Sequence, residues 1–142
     1  MRIVLAILTL MIVSIPVRAD EVPDNLKGTW KVVRAERNGQ IFPAEVVQGM
    51  VVIVQGPRMV IKDQRRTEIA SIEVDTTKEP KHLQMTPVDE NGPPAVPAEG
   101  IFDVQGTTLR LCWAKNGRAR PTEFLTRIRS DTVYLLLERE SK

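Results

Sequence analysis

Apolar residues recur at every second position along most of the chain. Between Thr107 and Ala114, Leu109, Leu111 and Trp113 share one side, and Thr108, Arg110, Cys112 and Ala114 share the other. Ala70, Ile72 and Val74 alternate with Ser71, Glu73 and Asp75, and Val133, Leu135 and Leu137 alternate with Tyr134, Leu136 and Glu138. Successive side chains of a strand point to opposite faces, so a period of two with one apolar face marks a half-buried strand. Turn-forming groups separate these runs: Asn38-Gly39, Gln55-Gly56-Pro57, Asp63-Gln64, Asn91-Gly92, Gln105-Gly106, Asn116-Gly117 and Ser130-Asp131. The pattern predicts strands near 28–37, 50–55, 58–63, 67–75, 81–86, 99–105, 107–114, 122–129 and 132–139.

Two stretches break the alternation. Pro43 to Gly49 predicts one short helical turn, with Pro43 at its first position and Gly49 ending it. Pro80, Pro87, Pro93, Pro94 and Pro97 crowd one region, and proline cannot donate to a strand ladder, so 87–98 is expected to be a long surface loop. Eight to nine sequential strands with short turns predict an all-β fold, an antiparallel meander that removes its edges by closing into a barrel. A two-sheet sandwich is the alternative. An eight-stranded barrel is either filled by side chains or holds one small ligand, and which of the two applies is the functional question.

The start of the chain has a different character. Arg2 precedes an apolar run, Ile3 to Ile15, interrupted only by Thr9 and Ser14; Pro16 ends it, and Val17-Arg18-Ala19 has the small residues a signal peptidase accepts. A helix over that run reaches about 20 Å, short of the roughly 30 Å hydrocarbon core of a bilayer. The expectation is a cleaved signal peptide at 1–19, cleavage before Asp20, and a single exported domain at 20–142, periplasmic or extracellular, with no transmembrane segment after cleavage. Of the 142 residues, 20 are Lys or Arg and 18 Asp or Glu. Losing Arg2 and Arg18 with the leader balances the charge, which argues against nucleic acid as a partner. One Cys and one His leave neither an internal disulfide nor the four ligands of a structural zinc site, and no cofactor is expected.

Two resemblances extend this reading. Leu26-Lys27-Gly28-Thr29-Trp30, Ala35-Glu36-Arg37-Asn38-Gly39, Gly100-Ile101-Phe102 leading to Leu109-Arg110-Leu111-Cys112, and Arg120-Pro121-Thr122-Glu123-Phe124 follow one another in that order. In these blocks the chain resembles a small secreted domain family of planctomycete bacteria, an uncharacterised extracellular domain that brings no catalytic residues with it. Gly28-Thr29-Trp30 with a late arginine, Arg139, also resembles the lipocalins and related calycin barrels. That likeness implies a lipocalin-like (calycin-type) barrel in which Gly28, Trp30 and Arg139 close one end, the arginine lying across the indole. Arg139 has the strand parity of Leu137 and so points to the same face. The disulfide and long C-terminal helix common in lipocalins are missing from this sequence.

Few residues suggest chemistry. Trp30, Met85, Phe102, Leu111, Trp113 and Phe124 form either the wall of a ligand cavity or a solid core. Cys112, opposite in parity to Leu111 and Trp113, is expected to be a buried packing group rather than a reactive thiol. His82 has no nucleophile-elbow serine to serve and reads as a surface histidine. Asp89-Glu90-Asn91-Gly92 falls far short of a calcium loop. Lys115, Arg118, Arg120, Arg127 and Arg129, opposed only by Glu123, are a candidate patch for an anionic partner or else a solvated face. The expected function is that of an exported, non-enzymatic binding domain holding a small apolar molecule or an envelope component. The alternatives are a structural or interaction module of the envelope without a cavity and, third, a hydrolase of unknown type.

Overall fold

The strands run β1 (Gly28–Arg37), β2 (Gln40–Ile41), β3 (Val51–Gln55), β4 (Arg58–Lys62), β5 (Thr67–Asp75), β6 (Lys81–Pro87), β7 (Ala98–Gln105), β8 (Thr108–Ala114) and β9 (Thr132–Arg139), with one helical turn, α1 (Ala44–Val47), before β3. The computed structural model describes residues 21–89, 91–93 and 95–141. The expected leader and its cleavage point before Asp20 lie outside the described residues.

From β3 to β9 every strand pairs antiparallel with the next, β1 pairs with β3 on one side, and β1 also pairs with β9 on the other. The sheet thus closes on itself as an eight-stranded barrel, and the sandwich alternative is excluded. The short strand β2 is the ninth. It folds back from β1 at Asn38-Gly39 and covers the upper part of the β1 edge, where β3 does not reach. Pro43 precedes α1 rather than occupying its first position, and Gly49 follows it.

The predicted parity accounts for the core. Leu109, Leu111, Val133, Leu135 and Leu137 are all buried among the interior side chains, as are Ile72 and Val74. In β1 the alternation changes phase. Trp30 and Val32 point inward and so does Ala35, because Val33 is an extra residue in the ladder to β9 and leaves the register shifted between Val32 and Arg34. Such a bulge turns the following residues to the other face.

The strand expected at 122–129 does not form. Residues 115–131 instead leave the top of β8, run across the outside of the barrel and return to β9. The physical reason is that no ladder is open to them, since β8 and β9 already pair directly from Thr108↔Glu138 to Ala114↔Thr132. Local chemistry agrees. Pro121 lacks a donor, the Ser130 hydroxyl donates to the Arg127 carbonyl in a tight turn, and Arg129 and Asp131 both have positive φ. This strap covers the outward faces of Ile101, Cys112 and Tyr134, a small second cluster to which Phe124 and Leu136 add.

Candidate functional site

The two ends of the barrel differ. At the lower end the N-terminal turn brings Leu26 and Val22 into the core beneath Trp30. The indole Nε1–H donates to the Leu26 carbonyl at 2.9 Å, and the Arg139 guanidinium lies 4.2 Å from the ring centroid. Its two terminal nitrogens donate to the carbonyls of Lys27 and Asn25 at 2.8 and 2.7 Å. Gly28 has φ +121° and faces this guanidinium; a Cβ there would come within 2.6 Å of Arg139 Nη1. The structure therefore brings Gly28, Trp30 and Arg139 together as one plug.

The upper end is open. A cavity of about 480 Å³ enters between the strands there. Its wall is formed by Met59, Ile61, Ala70, Met85, Ala98 and Trp113, with Val88 and Val96 of the β6–β7 connection above them. Two of the wall residues, Ala70 and Ala98, are alanines. Small residues at the top of β5 and β7 thus leave room that larger ones fill lower down. Thr67, Glu68, Lys115 and Asn116 add polar groups at the rim. A second lobe of about 90 Å³ adjoins it and shares Ile61, Glu68, Trp113 and Lys115.

Of the six side chains assigned to cavity or core, Met85 and Trp113 line this cavity. Trp30, Phe102 and Leu111 are fully enclosed lower in the barrel. Phe124 belongs to neither: it packs outside the barrel under the strap, with the Arg110 guanidinium 4.1 Å from its ring centroid. Its expected place inside depended on a strand at 122–129, and that strand is absent. Met59, Ala70 and Ala98 were not singled out from sequence. Their period-two placement marks them as inward, but which end of a barrel stays open is set by the loops.

The five basic residues of the candidate patch do not converge. Arg118 pairs with Asp131 at 3.3 Å, Arg127 with Glu123 at 3.7 Å, and Arg120 approaches Glu99 at 3.9 Å. Exposed pairs of this kind are worth about 0–1 kcal/mol, but they do partly neutralise the patch. Arg129 occupies the turn before β9. Lys115 is the exception, for it turns to the cavity rim. Burial, and after it the nearby Arg37 guanidinium, holds its ammonium below the usual lysine range.

His82 accepts a hydrogen bond at Nδ1 from Arg120 Nη1 at 2.7 Å. Loss of solvent, then the Arg120 charge, lowers its pKa, so the neutral ring is favoured. The Ser130 hydroxyl is engaged with Thr132 and with the Arg127 carbonyl. Asp89 forms a local turn through its side chain to the Asn91 amide at 3.1 Å. Among the described residues, no group of three or more His, Cys, Asp or Glu is arranged to hold a metal ion, and no helix is long and apolar enough to cross a membrane.

Cys112 is fully buried beneath the strap, its thiol 3.6 Å from the Leu125 carbonyl, and burial pushes its pKa up to about 11. A thiol that is both enclosed and protonated reacts slowly, because the thiolate is the nucleophile. Native protein at neutral pH is expected to resist a maleimide reagent and to label fully in denaturant. Fast native labelling would show that the strap lifts readily from β7 to β9.

Compared with known proteins, the chain matches no protein-family model, no curated protein and no solved structure.

Proposed function

We propose that this chain is an exported binding protein, not an enzyme, and that it takes one small apolar molecule into the open end of its barrel. The observation that carries the reading is the cavity of about 480 Å³ above Met85 and Trp113. Ligand pockets run from about 300 to 1,000 Å³, mostly apolar with a few placed polar groups, and this one has an apolar wall and a polar rim. The asymmetry of the barrel supports the same view: at one end Trp30 and Leu26 are fully enclosed and leave a groove of about 380 Å³ beside Val22, Lys27, Gly56 and Pro57, while the larger cavity opens at the other. The lipocalin likeness carried by Gly28, Trp30 and Arg139 agrees with a one-mouthed binding barrel. The apolar run Ile3 to Ile15 followed by Val17-Arg18-Ala19, the pattern of a cleaved leader, supports export. His82 Nδ1 is taken up by Arg120 Nη1 at 2.7 Å, which supports a positioning role for that ring over a catalytic one.

The test is a titration with N-phenyl-1-naphthylamine, a neutral apolar dye that brightens when it leaves water. Saturable binding at one site is expected. Ala98→Phe places a ring in the cavity and should weaken the dye by about tenfold or more, a loss of at least 1.4 kcal/mol, while the protein stays folded. No saturable binding, or dye affinity unchanged in folded Ala98→Phe, would favour the envelope module without a working cavity.

A further inference from the structure

The rim of the mouth is chemically lopsided. Glu68 is the one carboxylate that lines the main cavity among the described residues, and Arg66 already meets it at 3.4 Å. Asp63, in the adjoining lobe, approaches the same arginine at 3.9 Å and accepts the Arg65 and Arg66 amides. Lys115 borders both lobes, is half-buried, and has no carboxylate within salt-bridge distance among the described residues. Arg37 faces the same lobe. Glu68 attracts the Lys115 ammonium from beyond contact, but burial and the nearby Arg37 charge outweigh that attraction. A partly desolvated ammonium with no carboxylate in contact is costly, and an anion placed beside it recovers part of that cost as a charge-assisted hydrogen bond. Asn116 and Thr67, on the same rim, are neutral groups that can donate to the same anion.

We propose that the molecule held in the mouth is a single-chain amphiphile with a carboxylate head, its tail against Met85 and Trp113 and its head on Lys115. This rests on the reading of the mouth as a ligand site. One ammonium matches one monoanionic head. The cavity is at the lower end of the ligand-pocket range, which suits one short chain and leaves no space for a two-chain lipid.

Competition against bound N-phenyl-1-naphthylamine with decanoate, decanol and decylamine at neutral pH tests it. Decanoate should displace the dye about tenfold more tightly than decanol, the worth of one charge-assisted hydrogen bond, and decylamine should be the weakest. Lys115→Met should erase the advantage of decanoate and leave decanol unchanged or improved. Lys115→Glu should invert the order in favour of decylamine. If the three compete equally, or if decanoate keeps its advantage in Lys115→Met, the head-group assignment is overturned while the apolar mouth stands. If the dye does not bind the wild type at all, the ligand-site reading itself falls. Should either variant fail to fold, the order of the three competitors on the wild type still decides.

Discussion

Trp30→Ala is expected to lower stability by about 3–5 kcal/mol, because it empties a fully enclosed core position that the surroundings can only partly refill. Arg139→Ala should cost less, about 1–3 kcal/mol, since it removes charged hydrogen bonds to two backbone carbonyls at a partly solvated rim. The two losses should not add. The guanidinium lies on the indole face, and that contact is worth about 0.5–2 kcal/mol, so the double variant should fall short of the sum by that amount. Arg139→Lys separates charge from shape. It keeps the cation but loses the planar fork that reaches the Lys27 and Asn25 carbonyls together, and should recover only part of the stability. Denaturant unfolding of the wild type and the four variants measures each value. Strict additivity with a silent Arg139→Ala would mean that the plug is held by Leu26 and the β1–β9 ladder alone.

That plug is legible through the lipocalin likeness, which implies the arginine across the indole, and through strand parity, which turns Arg139 to the inner face. A Gly-x-Trp at the start of the first strand and an arginine of inward parity at the end of the last one meet whenever the barrel closes, and Trp30 is opposite Arg139 in the β1–β9 register. The repeating alternation in β5, β8 and β9 was legible for the same reason: a strand's faces depend only on the order of its residues. Where the reading failed, the deciding fact was distant. Residues 122–129 alternate well enough, but a strand needs an unpaired edge, and β8 and β9 had already taken each other's. Phe124 was carried to the wrong side of the sheet with them. The extra residue Val33 changes phase through pairing with β9, which no local pattern announces. The mouth was legible only in Met85 and Trp113. Lys115 was grouped with the arginines that follow it in sequence, but the end of β8 turns it to the cavity rim while Arg118, Arg120 and Arg127 go with the strap.

Gly100→Ala should couple the fold to the proposed mouth. Gly100 is opposite Trp113 in the β7–β8 ladder, and a Cβ at position 100 would come within 2.6 Å of the Cys112 carbonyl oxygen and 2.8 Å of Trp113 Cβ. Facing residues of antiparallel strands normally keep their Cβ atoms about 4.5–5.5 Å apart, so the two backbones here approach more closely than any side chain at 100 permits. The obstacle is backbone and the root of an indole, neither of which swings aside. Relief requires β8 to shift from β7 under the strap, at the cost of overpacking, about 1–3 kcal/mol. It also moves Trp113, a wall of the cavity. In a Trp30→Phe background Trp113 is the sole tryptophan, and its emission reports that movement directly. Gly100→Ala should therefore shift the unfolding midpoint, change Trp113 emission and weaken the apolar dye together. A loss of stability with emission and dye affinity untouched would mean that the strain is absorbed at Cys112 and the strap, on the outer face, and that Gly100 serves the wall of the barrel rather than its mouth.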